Sequence, residues 1–204
     1  MSQPYAEALS WVPKSRDLAM TLARALDYAK SESHRTVTLE HLLLALITDK
    51  DAANVLRACQ VDLDRLTGDV SSYLAESVER LSPGEPSDPA AAPELIRIVE
   101  YAAAAARQSR RREVNGAIVL AAIVGDGQSA AASMLRDQGL TFDEAIKALQ
   151  RANAAARGGG QSPTQPAPEP GQQGGPSQQA GTVASGPQVE ASPPRSGTEG
   201  QISQ

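Results

Sequence analysis

Apolar residues recur along this chain at helical spacing, most clearly between residues 38 and 47, T-L-E-H-L-L-L-A-L-I. Leu42, Leu43, Leu46 and Ile47 form one stripe. Thr38 stands where an N-cap belongs, its hydroxyl able to accept from the unpaired N–H groups of the first turn. Glu40 falls in that turn, beside the positive end of the helix dipole. The pattern returns 77 residues later as N-G-A-I-V-L-A-A-I-V, with Asn115 as cap and Val119, Leu120, Ile123 and Val124 as stripe. A second copy at a fixed offset marks an internal repeat.

The remaining periodic segments fall into the same scheme. From Ser15, Leu18, Leu22, Ala25, Leu26 and Ala29 share one helical face, and the helix fades in the polar run Ser31 to Arg35. A third helix is expected from Ala52 to Ala58 with Val55 and Leu56 inward, and a fourth, capped by Asp62, carries Leu63, Leu66, Val70, Tyr73 and Leu74 as far as Leu81. Ser82 to Ala92 holds three prolines and a glycine and reads as a linker. Beyond it Leu95, Val99, Ala102, Ala103 and Ala106 repeat the first helix at the offset of 77, while Met134, Leu135, Leu140 and Phe142 repeat Val55, Leu56, Val61 and Leu63 at 79. The two extra residues lie in the turn Gly125 to Ser129, and Thr141 with Glu144 forms a capping box for the last helix. No stretch alternates apolar and polar residues long enough for a strand. The expected fold is therefore all-α, eight helices in two pseudo-twofold four-helix repeats packed face to face.

The boundaries follow. Residues 1–13 read as a flexible arm bracketed by Pro4 and Pro13, with Trp11 as its anchor on the domain surface. Residues 14–156 form the repeat domain, divided into 14–81, the linker 82–92, and 93–156. From 157 to 204 the chain is rich in Gly, Pro, Gln and Ser with no aromatic residue, a composition expected to stay disordered.

A net charge of −5 argues against nucleic acid or an anionic membrane as partner. The one basic cluster, Arg107, Arg110, Arg111 and Arg112, reads as a solvated helix end set against the negative pole of the dipole. A single cysteine, Cys59, rules out an internal disulfide and reads as a small buried side chain. The first residues lack a signal-peptide pattern, and no run approaches the length needed to span a bilayer, so a soluble cytoplasmic protein is expected.

Candidate chemistry is sparse. There is neither a phosphate-cradling G-x-x-x-x-G-K-[ST] loop nor a G-x-G-x-x-G turn. The histidines are His34 and His41, and Glu40 points about 100° away from its neighbour His41 on a helix, so no metal site is expected. No catalytic residue and no cofactor is expected, which leaves binding. Glu40 has two readings: a carboxylate that complements its own helix dipole, or a docking point for a partner's cation. The second repeat has Ala117 at that position, so the fold does not require an acid there.

The segments T-V-T-L-E-H-L-L-L-A-L-I, A-A-N-V-L-R-A-C-Q-V-D-L-D-R-L, R-R-R-E-V-N-G-A-I-V-L-A-A-I-V and M-L-R-D-Q-G-L closely resemble the amino-terminal domain of the Clp unfoldases, the tandem Clp repeat, over about residues 14–152. With N-G-A opening the second repeat, the chain looks most like the ClpA branch. The resemblance implies an eight-helix domain that docks adaptors or substrates for an attached ATPase ring. It places Glu40 at the acidic docking position, with His34, Arg35 and Thr38 along the same edge. No ATPase module follows residue 157, so the expectation is a non-enzymatic, stand-alone docking module. Its partners would be a ClpS-like adaptor, Clp substrate proteins or the Clp unfoldase itself, in the service of Clp-dependent proteolysis. The alternative is a helical scaffold or ligand-binding protein that has left the Clp system.

Overall fold

The computed structural model describes residues 4–82 and 88–158. In chain order the elements are α1 (Tyr5–Ala8), α2 (Arg16–Ser31), β1 (Thr36–Val37), α3 (Leu39–Ile47), α4 (Lys50–Ala58), α5 (Leu63–Ser77), β2 (Ala90–Ala91), α6 (Pro93–Gln108), α7 (Gly116–Asp126), α8 (Ala130–Asp137) and α9 (Phe142–Gly158). Eight of the helices are those the periodicity predicts, and α1 is a single added turn. The tail beyond residue 158 lies outside the described residues.

Most helices begin where a side chain closes their free N–H groups. Ser15, Asp62, Asn115 and Ser129 accept from Leu18, Arg65, Ile118 and Ala132. The Thr141–Glu144 box is closed from both sides, and α6 opens on a proline, whose missing N–H is no loss at that position. The repeat extends to the backbone. Ser33 and Arg110, 77 residues apart, both take left-handed conformations (φ 55° and 54°) and end α2 and α6 alike.

The two repeats share one core. Leu18, Leu42, Leu46 and Leu56 of the first pack with Leu95, Ile98, Leu120 and Ile123 of the second, all fully buried. At the seam α7 lies on α4, and α3, α5 and α8 pack on one another. Asp49, 1% exposed, holds one side of the seam. Its carboxylate accepts from the Thr21 hydroxyl at 2.7 Å and from the amides of Asp51 and Ala52 at 3.0 Å. Gly116 faces it across the seam, and a Cβ there would collide with that carboxylate. Asn115 reaches over to Asp51 at 2.9 Å.

Three places differ from the expectation. The described part of the arm is packed: Tyr5, Ala8, Leu9 and Val12 are buried, and the Tyr5 hydroxyl donates to the Leu22 carbonyl at 3.1 Å. Burial holds that phenol far above its ordinary range. Trp11, the expected anchor, is 47% exposed, its indole N–H satisfied locally by the Ala8 carbonyl. The fourth helix stops at Ser77 instead of Leu81, because Glu79 and Leu81 pair through their backbones with Arg35 and Ser33. The third place is the linker, whose residues 83–87 lie outside those described. Its end forms β2, which pairs in parallel with β1. Two-residue strands leave no alternation to read in a sequence.

Among the described residues no single helix is long and apolar enough to cross a membrane; α7 with α8 passes only as a pair bent by 94°. The apolarity of α7 has another cause, since eight of its eleven residues are buried.

Candidate functional site

The β1–α3 edge places Glu40, His34, Arg35 and Thr38 in different settings. Glu40 is 5% exposed, and its Oε1 accepts from the Ala131 amide in the first turn of α8 at 3.2 Å. A residue read from sequence as acting on its own helix or on a partner thus closes a helix start 91 positions away. Arg35 lies half-buried at the surface, with its Nε 3.3 Å from the Glu79 carboxylate.

His34 and Thr38 are brought together by His41. The Thr38 backbone N–H donates to His41 Nδ1 at 3.1 Å, and His41 Nε2 lies 2.9 Å from His34 Nδ1. A backbone N–H can only donate, so Nδ1 of His41 is the acceptor, and the proton of a neutral ring then sits on Nε2 and is given to His34. That fixes the His34 proton on Nε2, which is buried without a hydrogen-bond partner among the described residues. Burial lowers the His41 pKa to about 4, reinforced by the adjacent His34. His34 is lowered too, by burial first and then by Arg80, with Glu32 opposing. Both rings are neutral at neutral pH. Tyr28 closes the cluster, edge-on to His41 with centroids 5.9 Å apart.

Among the described residues no group of three or more His, Cys, Asp or Glu is placed to hold a metal ion. Cys59 is half-buried, and burial, followed by the Glu144 carboxylate, pushes its thiol up against a smaller opposing effect of Arg151. A thiol held protonated is a poor nucleophile.

A different place has the geometry of a binding site. Between α6 and α9, above α7, runs an open cleft of about 690 Å³. Its floor is Ile118, Ala121 and Ala122 of α7, and its α9 wall is Phe142, Ile146 and Leu149. Tyr101 and Phe142 flank it at 53% and 48% exposure, among the most exposed large apolar side chains described. Small residues on α7 make the depth: the Phe142 ring lies over Gly125, 3.0 Å from where a Cβ would stand. The ends are polar. Arg111 lines one, and Asp126 lines the other, tied to Arg97 by two contacts of 3.2 Å. A concave apolar surface with few polar groups at its margins suits apolar side chains of a ligand or of a partner's helix.

Sequence reasoning missed this cleft. Tyr101 lies off the apolar stripe of its helix, and Phe142 was matched to Leu63 as a core position. The available signal was the repeat itself: at the offset of 77, Tyr28 and His41 correspond to Ala105 and Ile118, a loss of aromatic volume on one face.

Residues 15–138 match the family model of the Clp repeat (R) N-terminal domain. The chain belongs to the Clp repeat N-terminal domain family. It is similar to a ClpA homolog protein of Fuscovulum blasticum, 37% identical over 76% of this chain, and spans about a fifth (20%) of that relative's length. Among solved structures, the N-terminal domain of the ClpV1 ATPase from enteroaggregative E. coli superposes with a TM-score of 0.60 at 18% identity, covering 74% of this chain and 90% of that one. A ClpV N-domain in complex with VipB peptide superposes at 0.55 with 18% identity, covering 74% and 94%. At these identities the structural matches establish the Clp N-domain fold.

Proposed function

We propose that this Clp repeat domain is a non-enzymatic docking module whose α6–α7–α9 cleft takes up apolar segments of partner proteins. The observation that carries this reading is the open apolar cleft flanked by Tyr101 and Phe142, on a domain whose other apolar stripes are closed by packing. An exposed apolar concavity of this size marks an interaction surface. The structurally similar ClpV domain with its VipB peptide supports a peptide as occupant. Within the Clp system the partner would be a ClpS-like adaptor or a Clp substrate, feeding or modulating Clp-dependent proteolysis. The cleft is the preferred dock over the Glu40 edge, because Glu40 is buried and engaged with α8.

Fluorescence anisotropy with a labelled amphipathic helical peptide tests the docking, and pull-down with a ClpS-like adaptor and with the Clp ring tests the assignment to that system. Phe142→Ser and Ala122→Gln, one thinning the wall and one placing an amide in the floor, are expected to weaken the peptide several-fold while the fold is kept. Binding that neither substitution changes would show that docking occurs elsewhere.

A further inference from the structure

We propose that this cleft selects apolar segments that carry acidic residues at the end lying beside Arg111. The proposal rests on the docking reading above and adds the chemistry of the partner.

The two ends of the cleft are chemically different. Arg97, early in α6, pairs with Asp126 at the close of α7, so the two helices run antiparallel and this end is defined by that ion pair. Phe142 over Gly125 places the start of α9 there too. The Asp126 side chain is only 4% exposed and is matched by its guanidinium partner, so this end presents little net charge. The opposite end is the turn between α6 and α7, where Arg111 lines the cleft.

Arg107, Arg110 and Arg112 are exposed around the same turn, and among the described residues no ion pair engages any of the four arginines. The nearby acids offset them only in part, two carboxylates against four guanidinium groups. Glu113 and Asp51 share a smaller neighbouring depression with Arg111 and Arg112, and Asp51 there accepts from Asn115. On a chain of net charge −5 this is a local positive pole at the mouth of an apolar groove. Charge complementarity then favours acids on the occupant at that end, acting on register and partner choice more than on total affinity. The occupant proposed is a segment of a partner protein; residues 159–204 carry only Val183, Val189 and Ile202 as large apolar side chains and no stripe.

The test uses the full chain and three amidated, labelled peptides that share one amphipathic apolar core and differ at one end: acidic, uncharged or basic. The acidic-ended peptide is expected to bind about tenfold more tightly than the basic-ended one at low salt, with the preference shrinking as salt is raised. Arg111→Glu should erase or invert the preference and Arg111→Lys should retain it, with the circular-dichroism spectrum and thermal midpoint of each variant reporting an intact fold. Equal affinity for all three peptides, or a preference indifferent to Arg111→Glu, overturns the proposal and leaves the docking reading in place. If none of the three binds, the docking reading falls and the charge preference falls with it.

Discussion

The two repeats use the same three positions in opposite ways. The first carries Tyr28, His34 and His41, and 77 residues on the second carries Ala105, Arg111 and Ile118. In the first, Tyr28 and His34 stand edge-on to His41 at 5.9 and 5.0 Å, and the imidazoles are bonded to each other and to the Thr38 backbone. In the second, a methyl, a flexible guanidinium and an aliphatic side chain leave the cleft of about 690 Å³. One backbone plan thus gives a sealed half and an open half. The seam shows a matching asymmetry. Glu40 of α3 closes the start of α8, whereas its counterpart Ala117 lies on α7, which packs on α4, a helix already capped by Asp49. The same face is thus filled by packing in one copy and left open in the other.

The largest effect should come from the seam that joins the halves. Gly116→Ala places a Cβ in the Asp49 carboxylate, which cannot withdraw without giving up Thr21 and the first turn of α4. Overpacking with disruption of buried hydrogen bonds should lower unfolding stability by about 3 kcal/mol, read from the denaturant midpoint. A midpoint equal to that of the wild type would mean that the seam yields freely.

The histidines of the sealed half should make stability acid-sensitive between pH 7 and 5, a window in which their counterparts Arg111 and Ile118 in the open half do not titrate. An imidazole with an ordinary pKa of about 6.5 when unfolded and about 4 when folded binds fewer protons in the native state between those values. Its contribution to stability is therefore complete above about pH 6.5 and is lost as pH falls towards 4. From pH 7 to 5 the His41 contribution amounts to about 2 kcal/mol. His41→Asn, which can still accept from the Thr38 amide, should flatten this part of the profile. Equal slopes in the two proteins would detach the dyad from acid sensitivity.

How much of this could be read from sequence depended on whether a residue's role was local. Caps such as Asp62, Asn115 and the Thr141–Glu144 box act within one turn, so helix starts were legible. The α5 end was not, because Ser77 stops where the chain meets Ser33–Arg35 and not at any breaker. The arm was misjudged from its prolines, although Tyr5, Ala8, Leu9 and Val12 fall at i, i+3, i+4 and i+7 and are all buried. Glu40 could be singled out as unrepeated, but its partner is an amide 91 residues away. The cleft is a difference between two similar faces, visible only when the repeats are laid over each other position by position.

That difference can be reversed. Ala105→Tyr restores to the second repeat the ring that Tyr28 supplies to the first, at an exposed position where it should not disturb the core. Filling the cleft should weaken binding of an apolar helical peptide about tenfold, equivalent to about 1.4 kcal/mol, with the thermal midpoint unchanged. Unaltered peptide affinity would mean that the open face is not what distinguishes the repeats in function.

The smallest expected effect separates the two roles open to Glu40. Glu40→Ala leaves the Ala131 amide buried without its acceptor and should cost about 1 kcal/mol, with Glu40→Gln, which keeps an acceptor, losing less. Hydrogen exchange at the Ala131 amide should quicken in Glu40→Ala by a larger factor than elsewhere in the second repeat. The converse change, Ala117→Glu, should bring no compensating stability, because the N–H groups opening α4 are held by Asp49 and a second carboxylate nearby would meet like charge. If Glu40→Ala instead leaves stability and exchange unchanged but abolishes capture of an adaptor, the acid belongs to the partner surface, and the asymmetry between the repeats is one of recognition at both faces.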